Sequence, residues 1–94
     1  MVFVHRLVWD NWNIAHIARH QVIPEEVEEV CEGNPTTSQT YAGRIRVAGP
    51  TRAGRMLTII LAPKGEEGVY YLVTACPADR KERKEYQQEK GGEK

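Results

Sequence analysis

Cysteine is scarce in this chain: Cys31 and Cys76 are the two among 94 residues. Two thiols build neither a disulfide framework nor a four-cysteine zinc site, and in a reducing compartment both are expected to be free. No apolar run approaches the ~18 residues of a membrane span. Residues 1–6 lack the charged-then-apolar layout of a secretory leader, so a cytoplasmic protein without membrane contact is expected. A surplus of either charge is missing too. Thirteen basic residues face 13 acidic ones, which removes net repulsion as a source of disorder. At ~100–200 residues per domain the length allows one domain, expected over residues 1–90, with a disordered tail at 91–94. What is present is a hydrophobic share of 40%, enough for a small core.

Charge is balanced in sum and uneven in place. Residues 1–40 carry Arg6 and Arg19 against Asp10, Glu25, Glu26, Glu28, Glu29 and Glu32. Residues 41–78 carry Arg44, Arg46, Arg52, Arg55 and Lys64 against Glu66 and Glu67. A basic patch of this kind binds phosphate without any overall excess of positive charge.

Periodicity predicts an α+β domain. Residues 5–9 read as a short strand, and Asp10 as the N-cap of a helix running to about His20. In that helix Ile14, Ile17 and Ala18 form the apolar side, while Trp12, His16, Arg19 and His20 lie opposite. Pro24 suits the first turn of a second helix, Glu25 and Glu26 suit its dipole, and Val27, Val30 and Cys31 form its stripe. Gly33 and Pro35 stop it. Residues 34–39 read as a loop. From Tyr41 the period becomes two, with Tyr41, Gly43, Ile45 and Val47 on one face and Arg44 and Arg46 on the other. Turns at 49–54 and 63–68 separate apolar strands at 56–62 and 69–76. Three successive strands with short connections predict an antiparallel meander. Two helices cover one face of it and leave the other as a groove or partner surface. Asp79 and Glu82 start a charged third helix, residues 80–90, which must dock through Tyr86 or depend on a partner for order.

This order of elements resembles the BrnT family, toxins of bacterial toxin–antitoxin pairs with a RelE-like ribonuclease fold. The resemblance rests on Leu7-Val8-Trp9-Asp10, Ala18-Arg19-His20-Gln21-Val22, Glu25-Glu26-Val27, Gly54-Arg55-x-Leu57, and Thr74-Ala75 leading to Arg80-Lys81-Glu82-Arg83 and Tyr86. It spans residues 6 to 88 or so. Three departures stand out. Gln21 occupies a position where the family usually has glycine. The segment from Trp9 to His20 is one residue short. Cys76 stands where the family has an arginine of the catalytic or phosphate-binding kind.

The resemblance implies RNA cleavage without a cofactor, a DNA-binding antitoxin as partner, and homo- or hetero-oligomers. Such cleavage needs a base for the 2′-hydroxyl, a cation for the charge growing on phosphorus, and a proton for the leaving oxygen. The chain offers His20, Arg55, Arg80 and Glu82 as catalytic candidates. Arg83, Tyr86, Arg44 and Arg46 are the substrate-binding candidates. Plainer roles compete with each of these: His20 as a helix-end cap, Arg55 flanking a strand, Arg44 and Arg46 on a solvated strand face, residues 80–84 as a solvated helix. His16 and His20 have the spacing to chelate a metal, but no acidic residue or cysteine sits at a supporting spacing. Cys76 reads as a small strand-end residue and Cys31 as core. Trp12 is the better tryptophan for a contact surface, stacking on a base being the functional form of that reading. The alternative to a toxin is an inactive relative that binds protein or RNA, and Cys76 in place of arginine favours it.

Overall fold

The computed structural model describes residues 4–91. Its elements follow the chain as β1 (Arg6–Val8), α1 (Asn11–Ala18), α2 (Pro24–Glu32), β2 (Thr36–Gln39), β3 (Ile45–Pro50), β4 (Met56–Pro63), β5 (Val69–Pro77) and α3 (Arg80–Gly91). The strands form one five-stranded sheet in the order β1-β5-β4-β3-β2. β3, β4 and β5 are the expected antiparallel meander. β1 adds to β5 in parallel, with Leu7 across from Tyr70.

Two segments depart from the sequence reading. Residues 34–39 were expected as a loop, but Thr36–Gln39 pair antiparallel with β3 as an edge strand. Their polar side chains carry no alternating signal, and backbone pairing holds them, helped by the Thr36 hydroxyl donating to the Ala48 carbonyl at 3.4 Å. Conversely, Tyr41 and Gly43 do not belong to β3. Residues Tyr41–Gly43 form a 3-10 turn in which Ala42 has φ 58° and Gly43 φ 73°. Both angles lie in the left-handed region that breaks a strand. Gly49 and Pro50, expected in a turn, extend β3 instead. A Cβ on Gly49 would stand 3.2 Å from both Cα and Cβ of Pro35, so glycine lets the α2–β2 connection close onto the sheet. Gly91 closes α3, and the rest of the expected tail, residues 92–94, lies outside the described residues.

The core lies between the helix pair and one sheet face. Ile45 and Val47 of β3, Leu57, Ile59 and Leu61 of β4, and Leu72 and Ala75 of β5 point to it. Ile17, Val22, Val27 and Val30 meet them from the helix side. Each such aliphatic side chain contributes about 1.5–3 kcal/mol on full burial. The apolar side of α1 differs from the expected one. Ile14 is 39% exposed and Ala18 is exposed, and the helix docks through Asn13 and Ile17. Asn13 donates from Nδ2 to the carbonyls of Val8 (3.0 Å) and Leu72 (3.1 Å). It ties α1 to β1 and to the bulge in β5, where Val73 has no partner across β4. The buried amide is thus satisfied by two backbone acceptors that would otherwise be stranded.

α3 occupies the opposite face. Arg46 alternates with the buried Ile45 and Val47, so it projects to that side. There it meets Glu82 (3.4 Å) and Glu85 (3.8 Å) of α3. The reciprocal cap forms as expected, Glu82 N–H donating to Asp79 Oδ1 and Asp79 N–H to Glu82 Oε1. Tyr86 does dock the helix, its hydroxyl donating to the Asn34 carbonyl at 3.2 Å, and Lys90 reaches the Asn34 side chain. No described helix is long and apolar enough to cross a membrane.

Candidate active site

Arg55 sits where three chain segments meet. It directly precedes β4, and the Ala78 N–H donates to the Met56 carbonyl at 2.9 Å, so the start of α3 lies beside it. A hairpin turning evenly about residues 63–68 would put positions 55 and 76 opposite each other. The register instead pairs Leu57 with Pro77 and Thr58 with Cys76. The turn pairs Pro63 with Tyr70, and the bulge adds one more residue to β5, so residue 55 lies further along, toward Asp79. The third segment is the end of α1. Arg55 Nη1 donates to the Gln21 carbonyl at 2.6 Å, and Nη2 to the His20 carbonyl at 3.4 Å.

The same guanidinium holds the Glu26 carboxylate, with Nη1 at 2.9 and 3.0 Å from its two oxygens. Glu26 has two roles. Its Oε1 also accepts from the Ile23 N–H and closes the first turn of α2. Nothing local in the sequence marks Glu26 as the partner of Arg55, because 29 residues separate them. A phosphate drawn to Arg55 must therefore share or displace this carboxylate.

Gln21 has φ 59°, a left-handed conformation that disfavours any side chain. This gives a physical reason for glycine at the equivalent place in the resembling family. The left-handed residue turns the chain so that the Val22 N–H returns to the Ile17 carbonyl, and it aims the carbonyl of residue 21 at Arg55.

The His20 imidazole lies edge-on to His16, ring centroids 5.9 Å apart, and His16 stacks on Trp12 at 4.9 Å with 7° between planes. Arg55 thus touches residue 20 through its carbonyl, while the ring belongs to a ladder along α1. The other candidates divide. Arg80 is exposed at the start of α3, and Arg83 donates to the Ala78 carbonyl at 3.0 Å, so both belong to the end of the sheet where Arg55 lies. Glu82 and Arg46 are brought together as an ion pair. Tyr86 is midway along α3, against Asn34. Arg44 stands apart, over the Tyr41 ring at 5.2 Å.

Cys76 lies directly across from Thr58 in the register, on the face that α3 covers. Burial pushes its thiol up, and the nearby Glu82 and Asp79 carboxylates push it further. The surroundings of this position are acidic where the resembling family has a cation. Thr58 beside it has a buried hydroxyl without a hydrogen-bond partner among the described residues. Cys31, half-buried on α2 with Glu28 and Glu32 nearby, is pushed up to about 12, burial being the larger cause. Neither thiol has the electropositive surroundings of a nucleophile.

The arrangement defines a class: a small α+β domain with a mixed sheet between an N-terminal helix pair and a charged C-terminal helix. Among solved structures the chain is similar to the ribonuclease toxin BrnT of Brucella abortus, at 18% identity over 80% of this chain and 97% of that one, with a TM-score of 0.63. The chain therefore has a BrnT-like fold. No protein-family model and no curated protein matches it.

Proposed function

We propose that the chain is a BrnT-like toxin, a cytoplasmic ribonuclease that cleaves RNA without a metal ion and is neutralised by a cognate DNA-binding antitoxin. The observation that carries the reading is the Arg55 guanidinium held against the end of α1, at a β4 start that is itself hydrogen-bonded to the segment leading into α3. The likeness to a ribonuclease toxin of the same fold supports it.

In this reading Arg55 binds the scissile phosphate with its planar fork, and Arg80 and Arg83 supply further positive charge. Imidazole is the side chain suited to proton transfer near neutral pH. His20 takes the proton of the 2′-hydroxyl, the 2′-oxygen attacks phosphorus, and the bond to the 5′-oxygen breaks. The departing oxygen takes a proton from water, leaving a cyclic phosphate and a 5′-hydroxyl. Glu82 and Tyr86 hold α3 in place rather than contacting the phosphate. Arg44 and Arg46 extend the path for the RNA backbone, and a phosphate at Arg46 competes with Glu82 and Glu85.

Expression of the chain alone and incubation of the purified protein with RNA in EDTA test the reading. Growth arrest, relieved by a co-expressed antitoxin, and cleavage that persists in EDTA are expected. Absence of both, or a metal requirement, would refute it. A second reading, an inactive relative that binds RNA or protein, is favoured by Cys76 and its acidic surroundings. It predicts no arrest and no cleavage, and little gain from Cys76→Arg. A toxin with an otherwise intact pocket gains activity from that change.

A further inference from the structure

The outward face of α1 carries a ladder of which the cleavage reading uses only the last ring, His20. Trp12 is 61% exposed and stacks flat on His16, which meets His20 edge-on. Trp12, Ala15, His16 and Arg19 line an open cleft. Arg19 is exposed and makes no ion pair among the described residues. The helix sequence Asn11–Ala18 contains no carboxylate. A large aromatic ring is therefore held open to water by a second ring behind it, with a guanidinium beside it; the carboxylate of its helix, the N-cap Asp10, is engaged by the Asn13 N–H and the Tyr71 hydroxyl.

We infer that the Trp12–His16–Arg19 face is a stacking platform for single-stranded RNA, taking a base on Trp12 and a neighbouring phosphate on Arg19. The charge selects a polyanion, and the flat exposed ring selects an unpaired base over a duplex, whose bases are already stacked. The ladder ends at His20, whose carbonyl touches Arg55, so a strand on this platform leads toward the proposed cleavage site. The inference deepens that reading and rests on it for the identity of the ligand as substrate. Binding itself needs no cleavage.

The probe is a short fluorescent 2′-O-methyl RNA oligonucleotide, which cannot be cut by 2′-hydroxyl attack, titrated with the full chain and followed by anisotropy. Trp12→Ala is expected to weaken binding about tenfold, on the scale of one lost base–aromatic stack. Trp12→Phe should retain most of the affinity, Arg19→Ala should weaken it more at low salt than at high, and a duplex of the same sequence should bind less tightly. Trp12 is exposed, and circular dichroism checks that each variant is folded. Equal affinity of wild type and Trp12→Ala, no binding by wild type, or equal affinity for duplex would each overturn the platform. So would a Trp12 effect confined to self-association in sedimentation. Trp12-dependent binding without cleavage of unmodified RNA would sustain the platform and sink the nuclease. Cleavage together with Trp12-independent binding would do the reverse.

Discussion

Helices α1 and α2 perform the same packing task on the same sheet face and differ in everything they show to water. Each docks through two buried residues, Asn13 and Ile17 in α1, Val27 and Val30 in α2. Four of the five glutamates of α2 are tied to the body of the protein. Glu26 holds Arg55, Glu28 accepts from the Trp9 indole at 2.9 Å, Glu29 accepts from the Arg52 N–H, and Glu32 lies 3.7 Å from the Arg52 guanidinium. The outward rings of α1 touch one another. One helix thus joins distant segments, and the other leaves aromatic and cationic groups available to a ligand. The same division separates Arg55, held by a carboxylate, from Arg19, which is not.

The largest expected effect on stability breaks the anchoring of α1. Asn13→Leu leaves the Val8 and Leu72 carbonyls without their donor in a buried site, at a cost of about 2–3 kcal/mol. For a domain of this size that lowers the melting temperature by roughly 10–20 °C, measured by thermal unfolding. An unchanged melting temperature would mean that Ile17 alone holds the helix. Next is the link from α2 to the site. Glu26→Gln releases Arg55 from a full negative charge at the loss of a half-buried ion pair, a destabilisation of about 1 kcal/mol. Affinity for the uncleavable oligonucleotide should rise severalfold, because a phosphate no longer competes with a carboxylate. A fall in affinity would show that Glu26 positions Arg55 rather than occupies it.

A smaller change tests the joint between the two helices. Gln21→Gly removes the strain of a left-handed side-chain-bearing residue and should stabilise by about 0.5–1 kcal/mol, read as a shift in the denaturant midpoint. The smallest effect concerns the thiols. Both lie above their ordinary range, Cys31 at about 12, so at pH 8 each holds less thiolate than an exposed cysteine. Labelling by a disulfide reagent should be slow at both, slowest at Cys31, and should speed up as pH rises. Fast labelling of Cys76 at neutral pH would contradict the acidic surroundings assigned to it.

These comparisons also show which parts of the molecule were legible in the sequence. α1, α2, the central strands and the reciprocal cap of α3 carry period, cap residues and breakers within a few positions of each other, and each formed close to where those signals lie. β2 was not legible, since Thr36-Thr37-Ser38-Gln39 is an edge strand with one half-buried residue and three exposed ones. The parallel pairing of β1 and the bulge at Val73 are tertiary outcomes that no local pattern encodes. Asn13 was partly legible, because Asp10 and Asn13 have capping-box spacing, yet its reach to Leu72 spans 59 residues. At the site, the approach of Arg55 to the α3 start followed from hairpin pairing. Its ion pair with Glu26 did not, because both residues already had adequate local explanations.

The measurement that bears most directly on the account is the rate of RNA cleavage in EDTA by wild type, Arg55→Ala and His20→Ala. Loss of the guanidinium is expected to slow cleavage by about 10²- to 10³-fold, as for removal of one donor to a developing oxyanion. Loss of the imidazole should slow it by about 10²-fold or more, with both variants folded. Cleavage at the wild-type rate by either variant would contradict the assignment of the site to the junction of α1, β4 and α3.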